Sequence, residues 1–255
     1  MIEKESVMLK VILISHTPNP EKVVAAAAKM CYSNSGAENI LEKLDDEKTR
    51  KFLEHLTALG HESPLEHITF TFAVEGVSRS LLAQLTRHRM ASYSVKSQRY
   101  VEEANYEYIT PPEILQNPDA KALYDETMAK IGEAYEQLTE VLYQKHVTTM
   151  DEKSAKKKAI EDARFVLPNA CETKLIMTFN ARSLLNFFSV RCCNRAQWEI
   201  QALADALLWK VREVAPVIFR YAGPKCVHGA CPEGSMSCGK RAEMQKKYLV
   251  KTEGE

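Results

Sequence analysis

Neither sign of charge predominates in this chain, since 34 lysines and arginines offset 34 aspartates and glutamates over 255 residues and the pI is near 7.0. A broad nucleic-acid footprint needs a basic domain with a pI above about 9, so that class is excluded. No apolar run reaches the roughly 18 residues that a membrane-crossing helix requires. Val11-Ile12-Leu13-Ile14 is too short for the core of a signal peptide. No Gly/Ser-rich or low-complexity stretch marks a linker and no internal repeat occurs, so the chain reads as one domain. Gly-x-Gly-x-x-Gly and Gly-Lys-Ser loops are both missing, which excludes a signalled dinucleotide-binding Rossmann unit or P-loop. The seven cysteines, an odd number with Cys192 and Cys193 adjacent, fit a reducing compartment better than a disulfide framework, and a cytoplasmic protein is expected.

Against this neutral background one segment stands apart. Arg87-His88-Arg89-Met90-Ala91-Ser92-Tyr93-Ser94-Val95-Lys96-Ser97-Gln98-Arg99 has three arginines, a histidine, a lysine and three serines without an acidic residue. Arg87 and Arg89 offer forked donors suited to phosphate or carboxylate, and hydroxyls and backbone N–H groups could complete an anion cradle. A solvated basic turn is the competing reading. Leu81, Leu82 and Leu85 recur at helical spacing just before it, so the triplet is expected at a helix end with the serines in the following loop.

The remaining pattern is α+β. Ile68, Phe70, Phe72 and Val74 alternate with Thr69, Thr71, Ala73 and Glu75, which predicts a strand with one buried face. Strands are also expected at Lys10–Ser15 and Leu175–Phe179, and helices at Glu21–Met30, Asp46–Leu59 and Ala122–Tyr143, the last with Leu138, Val141 and Leu142 on one stripe. A further helix runs over Ala155–Val166 up to Pro168. The longest signal is Gln197–Arg220, whose stripe of Ile200, Leu203, Ala204, Leu207, Leu208, Val211 and Val214 is either core or subunit interface.

Two further constellations are polar. In Gly60-His61-Glu62-Ser63-Pro64-Leu65-Glu66-His67, Ser63 and Glu66 have capping-box spacing with Pro64 at the first helical position, whereas the two histidines and two glutamates could bind metal, although not in the His-Glu-x-x-His pattern. In Asn180–Arg191, a helix would put Arg182, Asn186 and, less closely, Arg191 on one flank and turn Leu184, Leu185, Phe187 and Phe188 to the core. That flank suits a ligand with ring amides and phosphates, or is surface polarity of an ordinary helix.

Taken in order, these motifs, with Ala163-Arg164-Phe165-Val166-Leu167-Pro168 and Gln197-Trp198-Glu199-Ile200, resemble the flavin-dependent thymidylate synthases over roughly residues 10 to 220. The resemblance implies reductive methylation of dUMP to dTMP, with methylenetetrahydrofolate as one-carbon donor and NADPH as reductant through bound FAD. It also implies a single domain with an antiparallel-type sheet flanked by long helices, and a homotetramer with shared active sites that would use the long apolar stripe. No nucleic-acid or membrane partner is implied. Family correspondence gives Ser63, Glu66, Arg87, His88, Arg89, Asn180, Arg182 and Asn186 to FAD. It gives Gln84, Arg87, Ser97, Gln98, Arg99 and Arg164 to dUMP, and Arg191 to dUMP as the group that stabilises ionised uracil N3. His61 is expected at the flavin ring. A nucleotide- or RNA-binding regulator using the same basic loop without redox chemistry is the alternative, and bound yellow flavin would separate the two.

The chain departs from the family pattern in places. Ser94 stands in the usual Asn position and Val95 where an acidic or amide residue is common. Arg195 replaces a histidine four residues after Arg191 and is a further FAD candidate. A catalytic domain is expected over 1–222 and a Cys-containing extension over 223–255. In that extension Cys226, Cys231 and Cys238, with His228 among them and Cys192 or Cys193 as a fourth ligand, could clamp zinc; the other reading is a mobile tail of reduced thiols.

Overall fold

A computed structural model describes residues 7–104 and 106–249. Strands β1 (Lys10–His16), β2 (Thr69–Ser78), β3 (Ala91–Val95) and β4 (Glu172–Asn180) form an antiparallel sheet in the order β1-β2-β4-β3. Helices are α1 (Pro20–Met30), α2 (Ala37–Lys43), α3 (Asp46–Ala58), α4 (Arg79–Leu85), α5 (Pro112–Leu115), α6 (Pro118–His146), α7 (Glu152–Ala163), α8 (Ala181–Arg191), α9 (Trp198–Val214), α10 (Pro216–Phe219) and α11 (Arg241–Tyr248). The α+β reading is thus borne out. The chain divides into two compact units, one of the described residues among 1–10, 74–84 and 94–175, the other of those among 11–73, 85–93 and 176–255.

In the second unit, Phe70 and Phe72 of β2 and Met177 and Phe179 of β4 are buried, as the period-2 pattern requires, and Thr71 and Thr178 pair hydroxyl to hydroxyl at 2.9 Å. No loop separates β4 from α8, because Asn180 closes the strand and caps the helix, its Oδ1 accepting from Ser183 N at 2.8 Å. Leu184, Phe187 and Phe188 are fully buried, while Leu185 is half-buried. α9 buries Ile200, Leu203, Ala204, Leu207, Leu208 and Val211 within this same chain. That settles the stripe as core and removes it as an argument for a subunit interface. The expected single helix to Arg220 is interrupted before Pro216, which lacks the N–H that would continue the ladder.

In the first unit, α6 is longer than its sequence signal, starting at Pro118 behind the Asn117 cap. Its buried residues are Met128, Tyr135 and Thr139; Leu138 and Val141, expected on the buried stripe, are exposed. Apolar character misidentified the face, because Tyr135 and Thr139 bury with their hydroxyls satisfied by Glu103 N and the Tyr135 carbonyl. Gly76, with φ +71°, is a position that only glycine fills: a Cβ there would sit 2.2 Å from the Met8 carbonyl oxygen.

The C-terminal segment is packed by side chains that carry little apolar signal in sequence. Tyr248 is fully buried, its hydroxyl 2.6 Å from Asp205 Oδ1 and 3.1 Å from the Cys192 carbonyl. Arg212 gathers the carbonyls of Phe219, Arg220, Ala222 and Tyr248 at 2.7 to 3.2 Å, and Val227 and Met244 are buried. Neither reading of the tail holds. It is not a loose run of thiols, and among the described residues no group of three or more His, Cys, Asp or Glu could hold a metal ion. Cys226 is buried, Cys231 half-buried and Cys238 exposed, and burial together with the neighbouring Cys193, Cys231 and Cys238 raises the Cys226 pKa. Replacing Tyr248 by Phe keeps the ring and leaves Asp205 short of a donor, so Tyr248→Phe is expected to lower stability by about 1–3 kcal/mol in urea denaturation. An unchanged midpoint would show that the hydroxyl does not fasten the tail.

Candidate functional site

In the second unit the three motifs meet around one cleft of about 460 Å³, lined by Glu66, Arg87, His88, Arg89, Met90, Phe179, Asn180, Arg182, Ser183 and Asn186. Arg182 joins the first motif to the third, its Nε 3.2 Å from Glu62 Oε2 and its Nη1 2.6 Å from Glu66 Oε1. The expected capping box therefore does not form. Residues Ser63–His67 make a 3-10 turn with no side-chain cap, and Glu66 spends its carboxylate on Arg182. These two carboxylates also raise the pKa of Arg182.

The Arg87–Arg89 turn is held from three directions. His88 N donates to the Leu85 carbonyl at 3.0 Å, which ends α4, and the Tyr93 hydroxyl lies 3.1 and 2.9 Å from the carbonyls of Leu85 and His88. Burial pushes that phenol up to about 12, so it remains a donor across the working pH range. The His88 ring meets Phe187 edge-on at 4.8 Å. Arg87 and Arg89 are exposed beside it. Of the three serines expected in a loop after the triplet, Ser92 and Ser94 lie instead on β3, and Ser97 lies in the loop that follows it.

Arg191, the last residue of α8, donates from Nε to His88 Nε2 at 3.1 Å. An acceptor Nε2 requires a neutral imidazole with its proton on Nδ1. Burial lowers the His88 pKa and the charge of Arg191 lowers it further; burial and the neighbouring Arg87 lower that of Arg191. His61 lines a separate small pocket with Leu53, Leu56, Leu65, Leu185 and Ile218, and Ser63 is exposed on the 3-10 turn. Arg195 turns to the tail, donating to the Met236 carbonyl at 2.8 Å and pairing with Glu233 at 3.5 Å.

The first unit contains Gln84, Ser97, Gln98, Arg99 and Arg164. Ser97 shapes its own loop, with Oγ accepting from Arg99 N at 3.2 Å and its carbonyl from Val101 N at 3.0 Å. Gln98 Nε2 reaches Cys171 Sγ at 3.4 Å. Lys96 is a correction to the reading of the whole basic segment as seeking an anion. Its side chain is 16% exposed and its ammonium pairs with Glu103 at 3.1 Å and Glu172 at 3.4 Å, so internal carboxylates already neutralise it. Glu62, the second partner of Arg182, enters the sequence reading only as a possible metal ligand, since no local spacing signals a partner 120 positions away.

A histidine whose folded pKa lies below its ordinary 6.5 stabilises the fold above that value, and the contribution is lost as pH falls from 6.5 toward the folded pKa. Stability should therefore fall more steeply between about pH 7 and 5 in the native protein than in His88→Gln, which carries no charge at any pH. Equal slopes in urea titrations of the two would mean that His88 is not held neutral.

The family described as thymidylate synthase complementing protein matches residues 12–217. A flavin-dependent thymidylate synthase of Clostridium tetani is 57% identical over 94% of this chain and 97% of its own length. Proteins of the same description from Geobacter sulfurreducens and Pyrococcus abyssi are 46% and 35% identical, covering 94% and 96% of this chain and 98% and 99% of their own lengths. With the ordered motifs gathered on a fold of the expected class, and with relatives matching along nearly their whole length, the chain belongs to the flavin-dependent thymidylate synthase family.

Proposed function

We propose how the residues of the two units carry the reaction that family membership assigns to this chain, the reductive methylation of dUMP to dTMP, with FAD as cofactor and methylenetetrahydrofolate and NADPH as co-substrates. The observation that carries the reading is the Arg182 clamp, which ties Glu62 and Glu66 to α8 beside the cleft that Arg87, His88 and Arg89 also line. Its volume is in the range of ligand sites. Arg87, Arg89 and Arg182 suit a pyrophosphate, and Asn180 and Asn186 suit ring amides, so the residues present fit FAD. FAD reduced by NADPH supplies the hydride that no side chain can carry. Ser63, His88 and Arg195 complete the proposed flavin set, and His61 enters beside the flavin ring, on the resemblance.

Gln84, Arg87, Ser97, Gln98, Arg99 and Arg164 hold dUMP in this reading, with Arg99 and Arg164 on its phosphate. Arg191 stabilises negative charge on uracil N3 and O2, which makes C5 electron-rich enough to attack the one-carbon unit. We place the protein in the cytoplasm on its cysteine usage; among the described residues no helix is long and apolar enough to cross a membrane. Assembly as a homotetramer with shared sites follows from the resemblance, and the exposed Met90 and Phe165, next to Arg89 and Arg164, offer apolar surface for it. We keep 1–222 as the catalytic region and 223–255 as the extension, whose described residues brace it. A non-redox nucleotide- or RNA-binding regulator draws no support from the matched family.

Two variants test these assignments, beginning with the visible spectrum of purified protein, which should show bound flavin. Arg89→Ala removes one charge-assisted contact worth about 1.5–3 kcal/mol, so most of the flavin should be lost with circular dichroism unchanged. Stoichiometric flavin in that variant would remove Arg89 from the set. Arg191→Lys keeps the charge without the planar fork, so kcat should drop about tenfold or more while dUMP affinity changes less than about threefold. Its rate profile should move to higher pH, where uracil N3 ionises unaided. Equal losses in kcat and affinity would reduce Arg191 to a binding residue.

A further inference from the structure

α7 grips the loop that follows β3 at successive points. Lys156 pairs with Glu102 at 2.6 Å, and the ammonium of Lys157 sits 4.4 Å over the Tyr100 ring and 3.3 Å from its hydroxyl. One turn further along, Glu161 Oε1 lies 2.6 Å from Arg99 Nε. Glu161 has a second role through its main chain, since its carbonyl accepts from Arg164 Nε at 3.1 Å. One residue thus engages two arginines, and each at the same atom.

That choice of atom matters. A guanidinium carries its Nε–H on one edge and its two terminal amines at the far end, and a group bound at Nε fixes the plane while leaving the fork available. Arg99 remains 44% exposed although its Nε is engaged, and Glu161 is 27% exposed, so the pair is reachable by solvent and by ligand. An exposed pair of this kind contributes little to folding. Its effect on a flexible arginine is different, because a side chain already fixed in one rotamer has less freedom to lose when an anion arrives.

We propose that Glu161 is a positioning residue for the nucleotide, holding Arg99 by its carboxylate and Arg164 by its carbonyl so that both present their terminal amines to the same phosphate. The inference rests on the reading that these arginines bind dUMP phosphate. It adds an acidic residue to a site that otherwise selects for anions, which runs against the simple expectation that a carboxylate there competes with the substrate.

The test is a double-variant cycle on the FAD-loaded enzyme, with dUMP affinity read by calorimetry and kcat at saturating dUMP read in turnover. Glu161→Gln keeps the shape and removes the charge, and it should weaken dUMP binding about three- to tenfold with kcat within about twofold. On an Arg99→Ala background the same substitution should change dUMP affinity by less than about twofold, because its target is gone. Lys156→Ala loosens the same loop without touching Arg99 and should leave dUMP affinity near the native value. Flavin absorbance and circular dichroism report that each variant is folded. If Glu161→Gln binds dUMP as tightly as the native enzyme or more tightly while Arg99→Ala weakens it, Glu161 is a bystander or a competitor, and the inference falls with the dUMP reading intact. Losses that multiply in the double variant would make Glu161 a structural residue and overturn it equally. Native dUMP affinity in both Arg99→Ala and Arg164→Ala would sink the reading itself and the inference with it.

Discussion

The cleft lined by Arg87, Arg89 and Arg182 depends on the aromatic packing centred on Phe187. This ring is fully buried on α8, touches His88 at 4.8 Å, Phe179 at 5.8 Å and Phe188 at 6.1 Å, and Phe179 in turn meets Tyr93 at 5.9 Å. Those contacts lock the rotation of α8 about its axis. With Leu184, Phe187 and Phe188 inward, helical geometry leaves Arg182 and Asn186 toward the cleft and brings Arg191 to His88. The same cluster fixes the Arg87–Arg89 turn, because His88 and Tyr93 belong to both. A loss of packing here would disperse several polar groups at once without touching any of them.

Charge in this protein is sorted by partner rather than by sign. Lys96 and Arg212 are consumed internally, the first by Glu103 and Glu172 and the second by main-chain carbonyls of the C-terminal region. Arg182 is shared, tied to Glu62 and Glu66 yet still lining the cleft. Arg87 and Arg89 are exposed at its edge. Neutral overall composition is therefore compatible with strongly cationic local surfaces, since the compensating carboxylates hold side chains in place.

The C-terminal segment serves the same end. Tyr248 and Arg212 tie it to the region of Cys192 at the end of α8, and Arg195 is drawn to Met236 and Glu233. A segment weak in apolar residues is ordered by hydrogen bonds to main-chain carbonyls, each of which would otherwise need water or a cap. It braces α8 from the end that carries Arg191.

Periodicity and punctuation pointed by themselves to a strand about Ile68–Glu75, helices about Glu21–Met30 and Asp46–Leu59, and the α+β class, realised at Thr69–Ser78, Pro20–Met30 and Asp46–Ala58, because those patterns reflect local geometry and one buried face. The ordered motifs were enough to identify the family. Which charges are free, however, was decided only by tertiary structure. Lys96 and Arg87 look alike in sequence, and Glu66 looks like half of a capping box until Arg182 claims it from 116 positions away. The buried face of α6 was likewise misidentified, because Tyr135 and Thr139 bury by satisfying their hydroxyls rather than by being apolar. Pairing between distant side chains leaves no local spacing to read, and the fold alone brings such partners within reach.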